Sequence, residues 1–236
     1  MNHLISEINS YPFDKLRKLL SAVSPNKKGN PFINLSIGEP QKNSSAEVLK
    51  ILTKNKKLFS QYPPMDSIHD LNSAYKHYLN KRFGIKDVTE ENILNLGGTR
   101  EGTFSVIQSL FNRENKSERP YVLMPNPFYQ IYGGATLLAG GVSKHINLID
   151  TKNFSLDLDS IKSDIWRKCQ ILVLCSPSNP TGSVMSESEI LKVIKLSRKY
   201  GFYIVSDECY VDIYRQNPPK SLIDISFKKY GNLSNK

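Results

Sequence analysis

Apolar residues along the 236-residue chain follow two alternating patterns, one with the spacing of a helix face and one of short continuous runs. Helical spacing predicts an amphipathic segment over Phe13 to Val23, helices at about 44–54 and 67–82, the second closed by Gly84, and further helices over Glu101 to Phe111 and about 128–138, the latter ending at Gly140-Gly141. Asp157 to Ser163 reads as a short helix. Ser186-Glu-Ser-Glu189 is a capping box opening a helix that runs to Gly201. Between these lie a short extended piece at Ile33 to Ser36, a turn at Gly38 to Pro40, and apolar runs at Ile93 to Leu96, Tyr121 to Met124, Val142 to Leu148, Gln170 to Cys175 and Phe202 to Ser206, all read as strands. Strands separated by helices imply crossover connections and a mainly parallel sheet covered on both faces.

The chemistry concentrates where strands end, which is where open α/β sheets bind ligands. After Cys175 stands Ser-Pro-Ser-Asn-Pro-Thr-Gly182, with Asn179 between two prolines. Past Leu96 comes Gly97-Gly-Thr-Arg-Glu-Gly102, glycines entering a helix whose free backbone N–H groups suit a phosphate; it lacks the spacing of a dinucleotide loop or of a triphosphate loop, and by itself it reads more readily as an ordinary tight strand-to-helix turn. Beyond Met124, the stretch Pro125-Asn-Pro-Phe-Tyr-Gln-Ile-Tyr132 places aromatic rings where a flat ligand would stack, or where rings simply pack. Following Val205, Ser206-Asp-Glu-Cys-Tyr210 takes two acids and a tyrosine off a hydrophobic strand, residues that also serve as turn formers.

Composition narrows the class. The 39% hydrophobic content is enough for a sizeable core, and 32 Lys+Arg against 22 Asp+Glu gives a net charge of +10. The lysines are scattered in pairs such as Lys27-Lys28, without the interleaved aromatics of a nucleic-acid module, so a solvated basic surface is expected and no nucleic-acid partner. Cys169, Cys175 and Cys209 form no C-x-x-C pair, which suits reduced thiols and no metal. Glu7, Pro12 and Asp14 interrupt any signal-like apolar stretch and no 18-residue apolar run occurs, so a cytoplasmic protein without a membrane partner is expected.

Taken in order, the segments G-T-R-E-G, P-N-P-F-Y, S-P-S-N-P-T-G and S-D-E-C-Y resemble the class I and II aminotransferases of fold type I, most nearly the succinyldiaminopimelate aminotransferases. The resemblance implies an α/β fold: the three-layer, mainly parallel large domain of pyridoxal-phosphate-dependent transferases, incomplete, over 46–236, preceded by an N-terminal arm and small-domain segment over 1–45. It implies pyridoxal 5′-phosphate as cofactor and amino acid and keto acid substrates, with glutamate as donor and N-succinyl-2-amino-6-ketopimelate as acceptor in lysine and diaminopimelate formation. Residue by residue, Asp207 would face the pyridine nitrogen, Asn179 and Tyr210 the phenolic oxygen, Tyr129 the ring face, and the backbone of Thr99 and Arg100 the phosphate. Tyr62 would reach the phosphate of a neighbouring subunit in a homodimer, and Gly38 would line the substrate carboxylate. In the family the Asn-Pro bond of the motif is cis, so Asn179-Pro180 is expected to be cis.

Two departures accompany the likeness. Ser67 stands where the family usually has a glycine, so the loop around Met65 is expected to be shaped differently. The family's cofactor-bearing lysine lies on the strand after the aspartate and tyrosine, and no such strand precedes Lys236, which reads as a surface lysine. No catalytic lysine is therefore assigned; the chain is read as the N-terminal part of an aminotransferase, inactive alone, with the Thr99 turn separated from the Asp207 side by missing strands. The same motifs serve aspartate, aromatic and kynurenine aminotransferases and some β-lyases, and a non-catalytic remnant of the fold is the reading from another class. A nucleotide-binding protein is disfavoured, since no acidic residue follows the glycine turn at the spacing a ribose requires.

Overall fold

The computed structural model describes residues 3–8, 12–24, 29, 33, 38, 43–62, 68–113 and 119–231. The chain divides into two compact units, one of 9–69 and the other of 1–8 with 70–236. The smaller carries α1 (Pro12–Leu20) and α2 (Ala46–Lys54), the latter capped by Ser45, whose hydroxyl accepts from the Glu47 backbone N–H. The expected extended piece at Ile33 to Ser36, the turn at Gly38 to Pro40, and the Met65–Ser67 loop fall wholly or largely outside the described residues, as does Lys236.

In the larger unit α3 (Ile68–Phe83) gives way at Gly84, whose φ of +73° suits a residue without a side chain. There follow α4 (Thr99–Leu110), β1 (Tyr121–Asn126), α5 (Gln130–Leu138), β2 (Val142–Ile149), β3 (Ser155–Leu156), α6 (Ser163–Lys168), β4 (Cys169–Cys175), α7 (Glu187–Tyr200), β5 (Tyr203–Asp207) and α8 (Leu222–Tyr230). The sheet order is β3-β2-β1-β4-β5. All pairs are parallel except β2 with the short β3.

The central strands explain the continuous apolar runs. Side chains alternate across a strand, so Val122 and Met124 of β1 with Ile171 and Val173 of β4 enter one core, beside Ile107 and Phe111 from the α4 region and Tyr132 and Ala135 from α5. Leu123 of β1 with Leu172 and Leu174 of β4 enter the opposite core, with Trp166 of α6 and Val193 of α7. Each fully buried aliphatic side chain contributes about 1.5–3 kcal/mol of hydrophobic stabilisation. Three layers result, helix on sheet on helix, and α8 adds Ile225 against Ile190 and Ile194 of α7.

Two expectations are corrected. The run Ile93 to Leu96 is not a strand: it pairs with no described strand, and Leu94 and Leu96 are 82% and 51% exposed. An alternating apolar run becomes a strand only when a neighbour accepts its backbone bonds, and here Asn95 instead donates its amide to the buried Asn72. The helix expected over Asp157 to Ser163 is a turn; α6 starts where that helix was to end, because Trp166 is the anchor, stacked at 5.3 Å on Phe202 and at 6.2 Å on Tyr200. The sequence reading also passed over α8 and β3.

Past β5 the chain is tethered to α3. Arg82 donates to the carbonyls of Val211 and Pro219 and pairs with Asp212 at 2.8 Å, and Tyr78 donates to the same carboxylate at 2.7 Å. Tight packing elsewhere is set by Gly141, where an added Cβ would stand 2.8 Å from the buried ring of Phe111. Gly141→Ala should therefore destabilise the protein by about 1–3 kcal/mol, read as a lower midpoint in urea unfolding.

Candidate active site

Connections out of the sheet reverse direction between β1 and β4: α5 leads from β1 to β2 on one side, α7 from β4 to β5 on the other. Loops diverge at such a point and leave a crevice at the carboxyl ends of the strands. β1 delivers Asn126, a cis bond to Pro127, and then Tyr129, still extended just before α5 begins. β4 delivers Cys175, then cis bonds at Ser176-Pro177 and Asn179-Pro180. The turn they shape is closed by Gly182 N–H to the Ser178 carbonyl at 2.7 Å and fastened to β5 by Ser176 N–H to the Asp207 carbonyl at 3.1 Å. Asn179 projects from it with its residue exposed.

Asp207, the last residue of β5, is held on both oxygens. Its Oδ2 accepts from the Tyr132 hydroxyl at 2.6 Å, and its Oδ1 from the Cys209 thiol at 2.7 Å and the Cys209 backbone N–H at 3.2 Å. Burial, then the hydrogen bond to Asp207, push the Tyr132 phenol far above its ordinary range, so Tyr132 stays a proton donor at any physiological pH. Burial also raises the Cys175 thiol, which stands opposite Asp207 in the sheet register. Burial first, and then the neighbouring Cys209, Cys175, Asp207 and Tyr129, raise the Tyr210 phenol.

The third wall is the start of α4. Gly98 is its N-cap residue, in extended backbone, and has no side chain with which to accept from the first turn. Arg100 Nε donates to the Tyr129 hydroxyl at 3.0 Å, and Cys209 Sγ lies 3.7 Å from Thr99 Oγ1. The Tyr129 ring meets Tyr132 edge to face at 5.8 Å.

Of the residues expected from sequence, Thr99, Arg100, Tyr129 and Asp207 thus come together, with Tyr210 on the chain just past β5 and Asn179 on the adjoining loop. Gly38 and Tyr62 belong to the smaller unit, where Tyr62 is 98% exposed. The expected separation of the Thr99 turn from the Asp207 side is not found. Helix α4, packed on the sheet through Ile107 against Ile171 and Val173, carries its own N-terminus to Cys209 without an intervening strand. Two members of the cluster were missed, Tyr132 and Cys209. Tyr132 was legible as the residue one helical turn beyond Tyr129; nothing in the spacing marks Cys209. Among the described residues no His, Cys, Asp or Glu group suits a metal ion, and no helix is long and apolar enough to cross a membrane.

Known proteins share this fold. The fold superposes on an aminotransferase crystal structure from Neisseria meningitidis with a TM-score of 0.87 and 34% identity, covering 97% of this chain and 58% of that one. The family model of the class I and II aminotransferases matches residues 30–233, and the chain belongs to that family. It is 28% identical to an LL-diaminopimelate aminotransferase of Natranaerobius thermophilus over 94% of this chain and 57% of the relative. To a probable aspartate aminotransferase of Methanocaldococcus jannaschii it is 32% identical over 75% of this chain and 46% of the relative. The chain thus spans about half the length of the curated relatives it matches. Enzymes of the family depend on pyridoxal 5′-phosphate.

The thiol beside Asp207 reports on the site. Burial first, then the hydrogen bond and charge of Asp207, lift Cys209 to about 11, so at pH 8 little thiolate is present. Asp207→Asn removes the charge that disfavours the thiolate, which lowers the thiol's pKa; alkylation of Cys209 by iodoacetamide at pH 8, followed by peptide mass spectrometry, should accelerate by about threefold or more.

Proposed function

We propose that the protein is a pyridoxal-phosphate-dependent aminotransferase that moves an amino group from glutamate to a 2-oxo acid, with N-succinyl-2-amino-6-ketopimelate as the favoured acceptor. It would serve diaminopimelate and lysine formation in the cytoplasm, as a homodimer in which Tyr62 reaches the partner's phosphate site. The observation that carries the reading is the meeting of a glycine-entered helix start, an aromatic face and a doubly held carboxylate in one crevice.

The donor set suits that cofactor at each end. The start of α4, entered through a glycine with no capping side chain and with the helix dipole behind it, matches a phosphate. Asp207 matches a protonated ring nitrogen, and Tyr129 offers the flat surface between. Bound there, pyridoxal phosphate supplies the electron sink that lets an amino acid release its α-proton. The chain's own part is to hold and tune. Tyr132 and Cys209 fix the Asp207 carboxylate in one orientation by donating to different oxygens, so the acid does not rotate away from its partner. Tyr210 and the exposed Asn179 amide would donate to the ring's phenolic oxygen, and Gly38 would line the substrate carboxylate.

The diaminopimelate acceptor draws support from the LL-diaminopimelate aminotransferase among the relatives, and a second reading, an aspartate aminotransferase, from the 32% identity to the archaeal protein. Two measurements test the proposal. The chain should bind 4′-deoxypyridoxine 5′-phosphate, a ring-and-phosphate analogue without an aldehyde, and Asp207→Ala should weaken that binding by about tenfold or more, as loss of a charge-assisted hydrogen bond does; absence of binding by the unaltered chain would defeat it. Protein purified from its native source should transfer amino groups from glutamate fastest to the succinylated acceptor, whereas faster turnover with oxaloacetate would favour the second reading.

A further inference from the structure

In the proposed function the first turn of α4 has one task, to take a phosphate through its backbone. Its side chains point to another. Arg100 reaches across to the β1–α5 loop and donates from Nε to the Tyr129 hydroxyl at 3.0 Å, while on the other side Thr99 lies 3.7 Å from the Cys209 thiol, itself 2.7 Å from Asp207. One helical turn is therefore tied to the aromatic face and to the carboxylate at once.

We infer that the Arg100 side chain is a positioning residue for Tyr129, so that the tilt of the stacking ring is set from the phosphate end of the crevice. The inference rests on the functional reading above and assigns a task to a side chain for which that reading uses only the backbone.

The packing around Tyr129 leaves such a task open. Tyr129 is half-buried, in extended backbone with φ −78° and ψ 127° and no capping bond from its side chain. Among the described residues its aromatic neighbour is Tyr132, met edge to face with planes at 89°. Edge contact blocks the swing of the ring toward Tyr132 and leaves the opposite swing about Cα–Cβ open. A planar guanidinium bonded to the hydroxyl holds the far end of the ring directionally, as a flexible ammonium would not. The base it springs from is rigid: two turns further along α4, Ile107 is fully buried in the sheet-facing core. Tyr132, the ring's other neighbour, is itself fully buried and fixed by Asp207. Tyr129 is thus held between two anchored groups, one at its edge and one at its hydroxyl.

A double-mutant cycle tests this without turnover. Binding of 4′-deoxypyridoxine 5′-phosphate to the chain is measured for the unaltered protein, Arg100→Gln, Tyr129→Phe and the double variant, together with the absorbance band of the bound ring, which responds to stacking geometry. Each single change should weaken binding by about fivefold, the scale of a half-exposed charge-assisted bond, and shift the band alike; the double should lose no more than about fivefold as well, because both remove the same bond. Losses that multiply in the double variant, or an Arg100→Gln protein with unchanged affinity and band, overturn the pairing while leaving the functional reading intact. Failure of the unaltered chain to bind the analogue overturns both. Melting temperatures of the variants within about 2 °C of the parent show that an affinity loss is local.

Discussion

Strands β1 and β4 have no free face. Each sends alternate side chains into two separate apolar cores, so neither strand has room for a polar side chain along its buried middle. Polar chemistry is thereby confined to the strand ends, and the reversal of connections between β1 and β4 opens those ends into a crevice. Everything proposed for the site depends on that confinement. The turn after β4, the aromatic loop after β1 and the acid ending β5 are neighbours because the strands beneath them are, held in register from Ile171 opposite Tyr203 to Cys175 opposite Asp207.

The helices decide the rest. α4 is docked by Ile107 and Phe111 in the same core as Tyr132, and that docking carries the Thr99 turn to the crevice although the segment before it joins no described strand. A site wall held from behind by a helix is positioned by packing rather than by sheet register. The Arg82 strut works in the same manner on the opposite flank. It fastens the chain after Asp207 to α3 through two carbonyls and a carboxylate, and so limits how far Tyr210 strays from β5.

Much of this was legible in the residues. The apolar runs of β1, β2, β4 and β5, the capping box of α7 with Gly201 closing it at φ 78°, and the placing of motifs at strand ends all follow from period, caps and turn chemistry. The reading failed where the outcome depends on a partner distant in sequence. Ile93 to Leu96 has the pattern of a strand and no neighbour to pair with, and the start of α6 is set by Trp166 stacking on Phe202, a ring far along the chain. Within the site the motifs located Asp207 and Tyr129, but the bonds of Tyr132 and Cys209 to Asp207 depend on side-chain directions that spacing does not encode.

Tyr132 belongs at once to the apolar core and to the acid's hydrogen-bond shell: its ring is fully enclosed among Val122, Ile171 and their neighbours, and its hydroxyl is the 2.6 Å partner of Asp207. A lineage of this protein therefore has little liberty to retune the acid by drift at that position. A smaller or purely hydrocarbon replacement there disturbs packing as well as the acid's orientation, whereas change has more room at the exposed rim, at Asn179 and Tyr210, than at the residue closest to the carboxylate.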